Sequence, residues 1–320
     1  MIHPIPSGTR DVLPDEMREL RAITEKLRAV FETHGYGEIS TPAIEYEGVL
    51  RRGGDGVSPA YRVFDDHGDV LALRSDMTVP IARVVATRYA TAEPPLRFCS
   101  FAHVYRQVKP FRGEMREHLQ AGVELVGAPG PDGTAEALTL MARALRAAGL
   151  RDYRVALGDA SLYPALMSSC GVPEDGQARL LTELVRRNFV ALELEVERLD
   201  VAPEQAKLLR EVPQMRGGPD VLAAPAGPVA DAVAGLRELH ARLEPEIAER
   251  VIFDLGLARE LGYYTGAVFD VLDPALGVAI GGGGRYDDLL GNFGRALPAV
   301  GFALGIDRLH IALTGEESRA

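Results

Sequence analysis

The run Ile280-Gly281-Gly282-Gly283-Gly284-Arg285-Tyr286-Asp287-Asp288 follows an apolar, strand-like approach that begins at Gly277. Four consecutive glycines carry no side chain to hold another molecule away. Such a run weakens a strand and predicts a tight turn or a backbone brought close to a ligand. Arg285 and Tyr286 add a cation and an aromatic hydroxyl at the same spot. A second run, Pro298-Ala299-Val300-Gly301-Phe302-Ala303-Leu304-Gly305-Ile306-Asp307-Arg308-Leu309, alternates small and apolar residues and then turns helical. It places Arg308 in the first helical turn, where a cation is disfavoured unless an anion or carboxylate answers it. Either half alone reads equally well as a glycine-rich hairpin before a buried strand and helix. Taken with Arg259–Phe269 upstream, the two halves favour a ligand site.

Working outward, 320 residues with 47% hydrophobic content are enough for a large core. No apolar run approaches membrane-span length, and Met1–Asp11 has neither a basic start nor an apolar core, so no membrane association is expected. Cys99 and Cys170 offer no disulfide framework, and the seven histidines show no ligand spacing. The expectation is a reduced cytoplasm, no metal and no cofactor. The net charge of −11 leans against nucleic acid, whose affinity comes largely from Lys and Arg on phosphates. Only Lys26, Lys109 and Lys207 among the 35 basic residues are lysines. A single motif arginine therefore carries little information, and constellations carry more.

Pro14, Asp15 and Glu16 suit the start of a helix. Leu20, Ile23, Leu27, Val30 and Phe31 give it one apolar face, and Gly35 closes it. Glu38–Glu45 reads as a strand interrupted by Pro42, hence an edge or interface strand. Val63–Leu73 reads as a hairpin around Asp65–Asp69. Ser75 or Asp76 can cap a helix over Thr78–Tyr89. Leu96–Tyr105 and Met115–Val126 read as strands around the loop Gln107–Glu114. Gln120 and Glu124 share a face of the second, because strand side chains alternate. Asp132–Ala148 reads as a helix and Tyr153–Leu157 as a strand. Residues 162–250 read as a mostly helical insertion with a mobile Gly217-Gly218-Pro219 tip. The sheet resumes at Val251–Leu255. Within Leu257–Phe269 the adjacent Tyr263 and Tyr264 are expected on opposite faces, one of them leaving the core.

These segments resemble the histidyl-tRNA synthetase family, a class II synthetase fold, over nearly the whole chain. The resemblance implies an α+β core with a six- or seven-stranded, mainly antiparallel sheet flanked by helices. The first helix and strand, Glu16–Ile44, resemble class II motif 1, which implies a homodimer. Asp76 and Thr78 match the acidic residue and threonine that hold the histidine α-amino group. Gln120 and Glu124 match residues lining the histidine pocket. Arg259, Tyr263 and Tyr264 match a histidine-specific motif, in which the arginine serves the carboxylate and a tyrosine meets the imidazole. Glu260 and Gly262 depart from that motif. Tyr286 follows the glycine run, and Arg106 matches the arginine that takes the ATP α-phosphate.

The family has two branches, the synthetase and a synthetase-like regulatory subunit of ATP phosphoribosyltransferase. Val108 stands where the synthetases have a glutamate for the adenine, and Glu114 where they have a basic residue. Valine accepts no hydrogen bond, and a carboxylate beside a triphosphate repels it. Losing one such charged contact costs ~2–4 kcal/mol. The adenylating half of the site is thus expected to be degraded and the amino-acid half kept. The domain that reads the anticodon is expected to be missing. Together these imply the regulatory branch: no catalysis, no tRNA, the short catalytic subunit as partner, and histidine as allosteric ligand. The alternatives are a truncated synthetase or a paralogue with another aminoacylation target.

Overall fold

The glycine run is a strand, not a turn. In the computed structural model, which describes residues 5–54, 61–107, 115–223, 227–259, 261–274 and 276–317, it lies well inside the main sheet. The strands are β1 (Gly37–Glu38), β2 (Ile44–Tyr46), β3 (Arg62–Phe64), β4 (Val70–Leu73), β5 (Leu96–Tyr105) and β6 (Glu117–Val126). They continue with β7 (Arg154–Asp159), β8 (Arg216–Gly217), β9 (Val251–Asp254), β10 (Ala267–Leu272), β11 (Gly281–Arg285) and β12 (Ala299–Gly305). The helices are α1 (Pro14–Thr33), α2 (Glu47–Leu50), α3 (Thr78–Arg88), α4 (Asp132–Ala148), α5 (Leu162–Ser169) and α6 (Glu174–Val185). They end with α7 (Phe189–Glu197), α8 (Pro203–Glu211), α9 (Ala230–Arg242), α10 (Pro245–Ala248) and α11 (Ile306–Glu317).

The main sheet has nine strands in the order β1-β5-β6-β12-β11-β10-β7-β9-β8. Seven of them run four residues or longer, the upper bound of the expected six or seven. The additional two, β1 and β8, are two-residue edge pieces too short to leave a pattern in the sequence. Pairing is antiparallel except for β1 with β5 and β7 with β9. A separate sheet runs β2-β4-β3. Pro42 explains the division: the expected Glu38–Glu45 strand breaks there, and the chain leaves one sheet for the other.

Glycine is required in β11 by what stands beside it. A Cβ on Gly283 would overlap the Gly301 carbonyl oxygen and stand 2.6 Å from Phe302 Cα. One on Gly282 would overlap Arg259 Nη1, Asp270 Oδ1 and the Phe269 carbonyl oxygen. The backbone is indeed closely approached, by neighbouring strands and by two side chains of the cavity described below.

Strand alternation gives the sheet two faces. Leu119, Ala121, Val123 and Leu125 of β6, with Val300, Phe302 and Leu304 of β12, face the helical side. There α1, α4 and α11 pack. Pro14 opens α1, Asp15 and Glu16 sit in its first turn, and Gly35 follows it at φ +81°. Leu20, Ile23, Leu27 and Phe31 form its buried stripe. Full burial is worth ~1.5–3 kcal/mol for each side chain of this size.

Residues 162–250 supply α5 to α10 and the short β8. Leu162, Leu166, Leu184, Leu209, Leu236 and Ile247 join the same buried cluster as the sheet's helical side. The expected mobile tip is instead fastened to the sheet edge. Gly217 pairs with Phe253, and the Leu255 amide donates to Met215 O at 3.0 Å. Arg187, which takes a positive φ just after α6, reaches the buried Asp254 at 2.7 Å and secures the helices to β9. Cys99 and Cys170 are both free and buried, and burial pushes the Cys99 thiol up to about 12. No helix among the described residues is long and apolar enough to cross a membrane.

Candidate functional site

The other face of the sheet opens into a cavity of about 110 Å³. Its floor is built from small residues, Gly122 of β6 with Gly301, Ala303 and Gly305 of β12. A volume below the ~300–1,000 Å³ of drug-sized sites suits a small polar ligand. Asp76, Thr78, Arg106, Gln120, Glu124, Arg259, Tyr263, Tyr264 and Tyr286 all line it. Side chains from five separate stretches of sequence therefore converge on one volume.

One end is acidic. Glu124 is 6% exposed and accepts from Thr78 Oγ1 at 2.7 Å and from the Tyr286 hydroxyl. Burial pushes its carboxyl up to about 7. The two hydroxyls oppose that shift and the neighbouring Asp76 adds to it. Glu124 lies against the backbone of β12, where a Cβ on Gly301 would overlap Oε2. Asp76 is buried too, and burial raises it against the opposing Val79 amide and Arg106. Its Oδ1 accepts from the Val79 amide at 2.9 Å, so Asp76 does hold the first turn of α3 as well as facing the cavity.

An aromatic wall stands beside this end. Tyr263 and Tyr264 have ring centroids 4.7 Å apart, and Tyr263 meets Tyr286 edge-on at 5.6 Å. Burial is the first cause of the upward shift of all three phenols, which stay neutral donors. The expectation that the tyrosine pair splits between two faces is not met. Both lie before β10, in a turn and the irregular stretch after it, where strand alternation does not apply, and both reach the cavity.

Arg259 ion-pairs with Asp270 and donates to Phe269 O at 3.1 Å. Its guanidinium stands 5.5 Å from the Tyr264 ring centroid. It reaches the cavity already committed, and a ligand carboxylate would share it with Asp270. Arg285 turns the other way, to Asp287 at 2.7 Å and Ala128 O at 3.2 Å. The cation expected beside Tyr286 is thus a structural one, because neighbouring residues at a strand end face opposite sides.

Two further arginines bring positive charge. Arg106 and Arg308 both line the cavity, and Arg308 donates to Ala279 O at 2.7 Å. Burial lowers Arg308 first and Arg106 lowers it further. Burial and then these two arginines hold His118 below the ordinary histidine range. Val108, Lys109, Glu114 and Glu260 fall outside the described residues.

Ser100, His118, Asp270 and Asp307 also line the cavity, and none was singled out from the sequence. Two had a usable signal. His118 sits two before Gln120 and six before Glu124 on one strand, hence on one face. Asp270 is the lone charge in Ala-Val-Phe-Asp-Val-Leu. Among the described residues no group of three or more His, Cys, Asp or Glu could hold a metal.

A family model described as histidyl-tRNA synthetase matches residues 8–309. The ATP phosphoribosyltransferase regulatory subunit of Symbiobacterium thermophilum is 43% identical over 316 residues, 96% of this chain and 79% of that protein. The protein of the same name from Desulforamulus reducens is 39% identical over 312 residues, covering 96% and 78%. A solved Bacillus halodurans structure, named an ATP phosphoribosyltransferase regulatory subunit/histidyl-tRNA synthetase, gives a TM-score of 0.89 at 32% identity. It covers 98% of this chain and 84% of its own. A histidine–tRNA ligase subunit from Alicyclobacillus acidocaldarius gives 0.84 at 31% identity, covering 99% of both chains.

Proposed function

The chain belongs to the histidyl-tRNA synthetase family, and from that premise we infer that it is the regulatory subunit of an ATP phosphoribosyltransferase. It acts with the short catalytic subunit in the first step of histidine biosynthesis, and histidine inhibits the complex through it. The observation that carries the histidine reading is the convergence of the nine residues on one small cavity. Asp76 and Glu124 offer carboxylates to an ammonium, Thr78 and Gln120 add neutral polar groups, and Arg259 answers a carboxylate. Three tyrosines give the mixed polar and aromatic surface that an imidazole needs. A few charged contacts at ~1.5–3 kcal/mol each suffice for a micromolar site, about −8 kcal/mol.

The second reading is a synthetase-type ligase, favoured by Arg106 and Arg308 in the cavity lining, which a phosphate could use. One assay separates the two. With histidine and ATP the purified chain should give no pyrophosphate exchange, and no phosphoribosyl transfer alone. Adding the short catalytic subunit should produce transfer that histidine inhibits. Steady pyrophosphate exchange by the chain alone would establish the ligase instead.

We also infer self-association through the Glu16–Ile44 segment and the small sheet beside it. Ile44, Tyr46 and Val63 share that sheet's outer face and are 45%, 53% and 43% exposed. An apolar sheet face open to water is a common mark of an interface. Light scattering at micromolar concentration should report a dimer or larger, and a monomer mass would remove this part of the reading.

A further inference from the structure

We propose that ligand binding at this site exchanges a cation for a proton: the ligand's ammonium enters as the Glu124 carboxyl releases its proton to solvent. The inference rests on the amino-acid reading of the cavity given above. Its basis is the surroundings of Glu124. From α3 and the turn before it come the Thr78 hydroxyl and the Asp76 carboxyl. The Tyr286 hydroxyl approaches from beyond β11, and Tyr263 and Tyr264 close the side before β10. From β12 comes only the backbone at Gly301.

No cation among the described residues hydrogen-bonds to Glu124. Arg259, the cation nearest in sequence to the tyrosine pair, is held by Asp270. Arg106 acts on Asp76, and Arg308 is drawn to Ala279 O. His118 lies on the same strand face, and burial first, then Arg106 and Arg308, hold it below the ordinary histidine range. Glu124 thus has two hydroxyl donors and one like-charged neighbour in a buried place. Of these two adjacent buried carboxyls only Asp76 has a cation acting on it, Arg106, so Glu124 is the one that favours keeping a proton. An ammonium placed between them supplies the missing positive charge, and the proton leaves. At Glu124 the ammonium replaces the proton charge for charge, and the ligand's carboxylate is answered apart from it, by Arg259.

The step also makes the site respond to pH. With the carboxyl near 7 in the empty protein, affinity should rise about tenfold from pH 6 to pH 8, once the ligand's own imidazole titration is subtracted. Below that range the site holds its own proton and histidine must displace it.

The test is calorimetric titration of the purified chain with L-histidine at pH 7.0 in phosphate and in Tris, buffers of different ionisation enthalpy. The difference should correspond to about half a proton released per histidine bound, as for a group titrating near 7. Glu124→Gln should bind more weakly with no buffer dependence. Tyr286→Phe removes a donor that favours the ionised carboxylate, so its release should rise toward one proton. His118→Gln should release as the parent does. Histidine binding with equal heats in both buffers overturns the exchange. Release that persists in Glu124→Gln, or moves only in His118→Gln, overturns its assignment to Glu124. Should Glu124→Gln fail to fold, Tyr286→Phe decides, and unchanged release counts against the proposal. No histidine heat at any pH overturns the amino-acid reading itself, and the exchange with it.

Discussion

Gly283→Ala is expected to cost about 3 kcal/mol and, in a chain of 320 residues, to lower the melting temperature by roughly 4–5 °C. The added methyl overlaps the Gly301 carbonyl oxygen and stands 2.6 Å from Phe302 Cα. Both obstacles are backbone atoms of β12, and β12 is itself paired along its length to β6. No flexible side chain can swing aside, so a strand must shift, and the sheet's buried helical side shifts with it. Overpacking of this kind usually costs ~1–3 kcal/mol, and backbone obstruction puts it at the upper end. Gly218→Ala is the control, since nothing stands within 4 Å of its added carbon. Thermal unfolding followed by circular dichroism reads both. Equal melting temperatures for Gly283→Ala and the parent would show that β11 tolerates side chains.

The glycine run shows where the sequence could and could not be read. Its composition announces a close approach, and a close approach is found. The kind of approach is set by β10 and β12, which lie elsewhere in the chain. Four glycines have no period, so nothing local distinguishes a turn from a strand between two partners. By contrast α1 was legible from Leu20, Ile23, Leu27 and Phe31, because helical spacing is local. Strands β5 and β6 were legible for the same reason, and with them the shared face of Gln120 and Glu124. Asp270 was not, although it stood alone among apolar residues, since its importance lies in holding Arg259 across eleven positions of sequence. Tyr263 and Tyr264 were assigned to opposite faces by a rule for strands, and the chain turns there instead. The edge strands β1 and β8 are recognisable only once β5 and β9 are in place to receive them.

Glu124→Ala should weaken histidine binding by roughly ten- to a hundredfold, the loss of ~1.5–3 kcal/mol expected for one charged contact. The substitution removes the carboxylate meant for the ammonium and deprives Thr78 and Tyr286 of their acceptor. Tyr264→Ala should weaken binding by at least tenfold, through the aromatic wall and the ring beside Arg259. Glu124 is buried on the sheet and not at the molecular surface, so its loss should leave assembly with the catalytic subunit intact. Inhibition is a binding free energy spent unequally on two states, and a ligand that binds both alike shifts neither. Weaker binding to the inhibited state therefore moves the inhibition curve of the assembled complex by the same factor. Calorimetry on the isolated chain and histidine titration of the complex's activity measure the two shifts separately. Agreement between them would tie the cavity to the inhibition. If both variants bind histidine as the parent does and the complex keeps its sensitivity, the cavity is a relic of an ancestral site and histidine is sensed elsewhere.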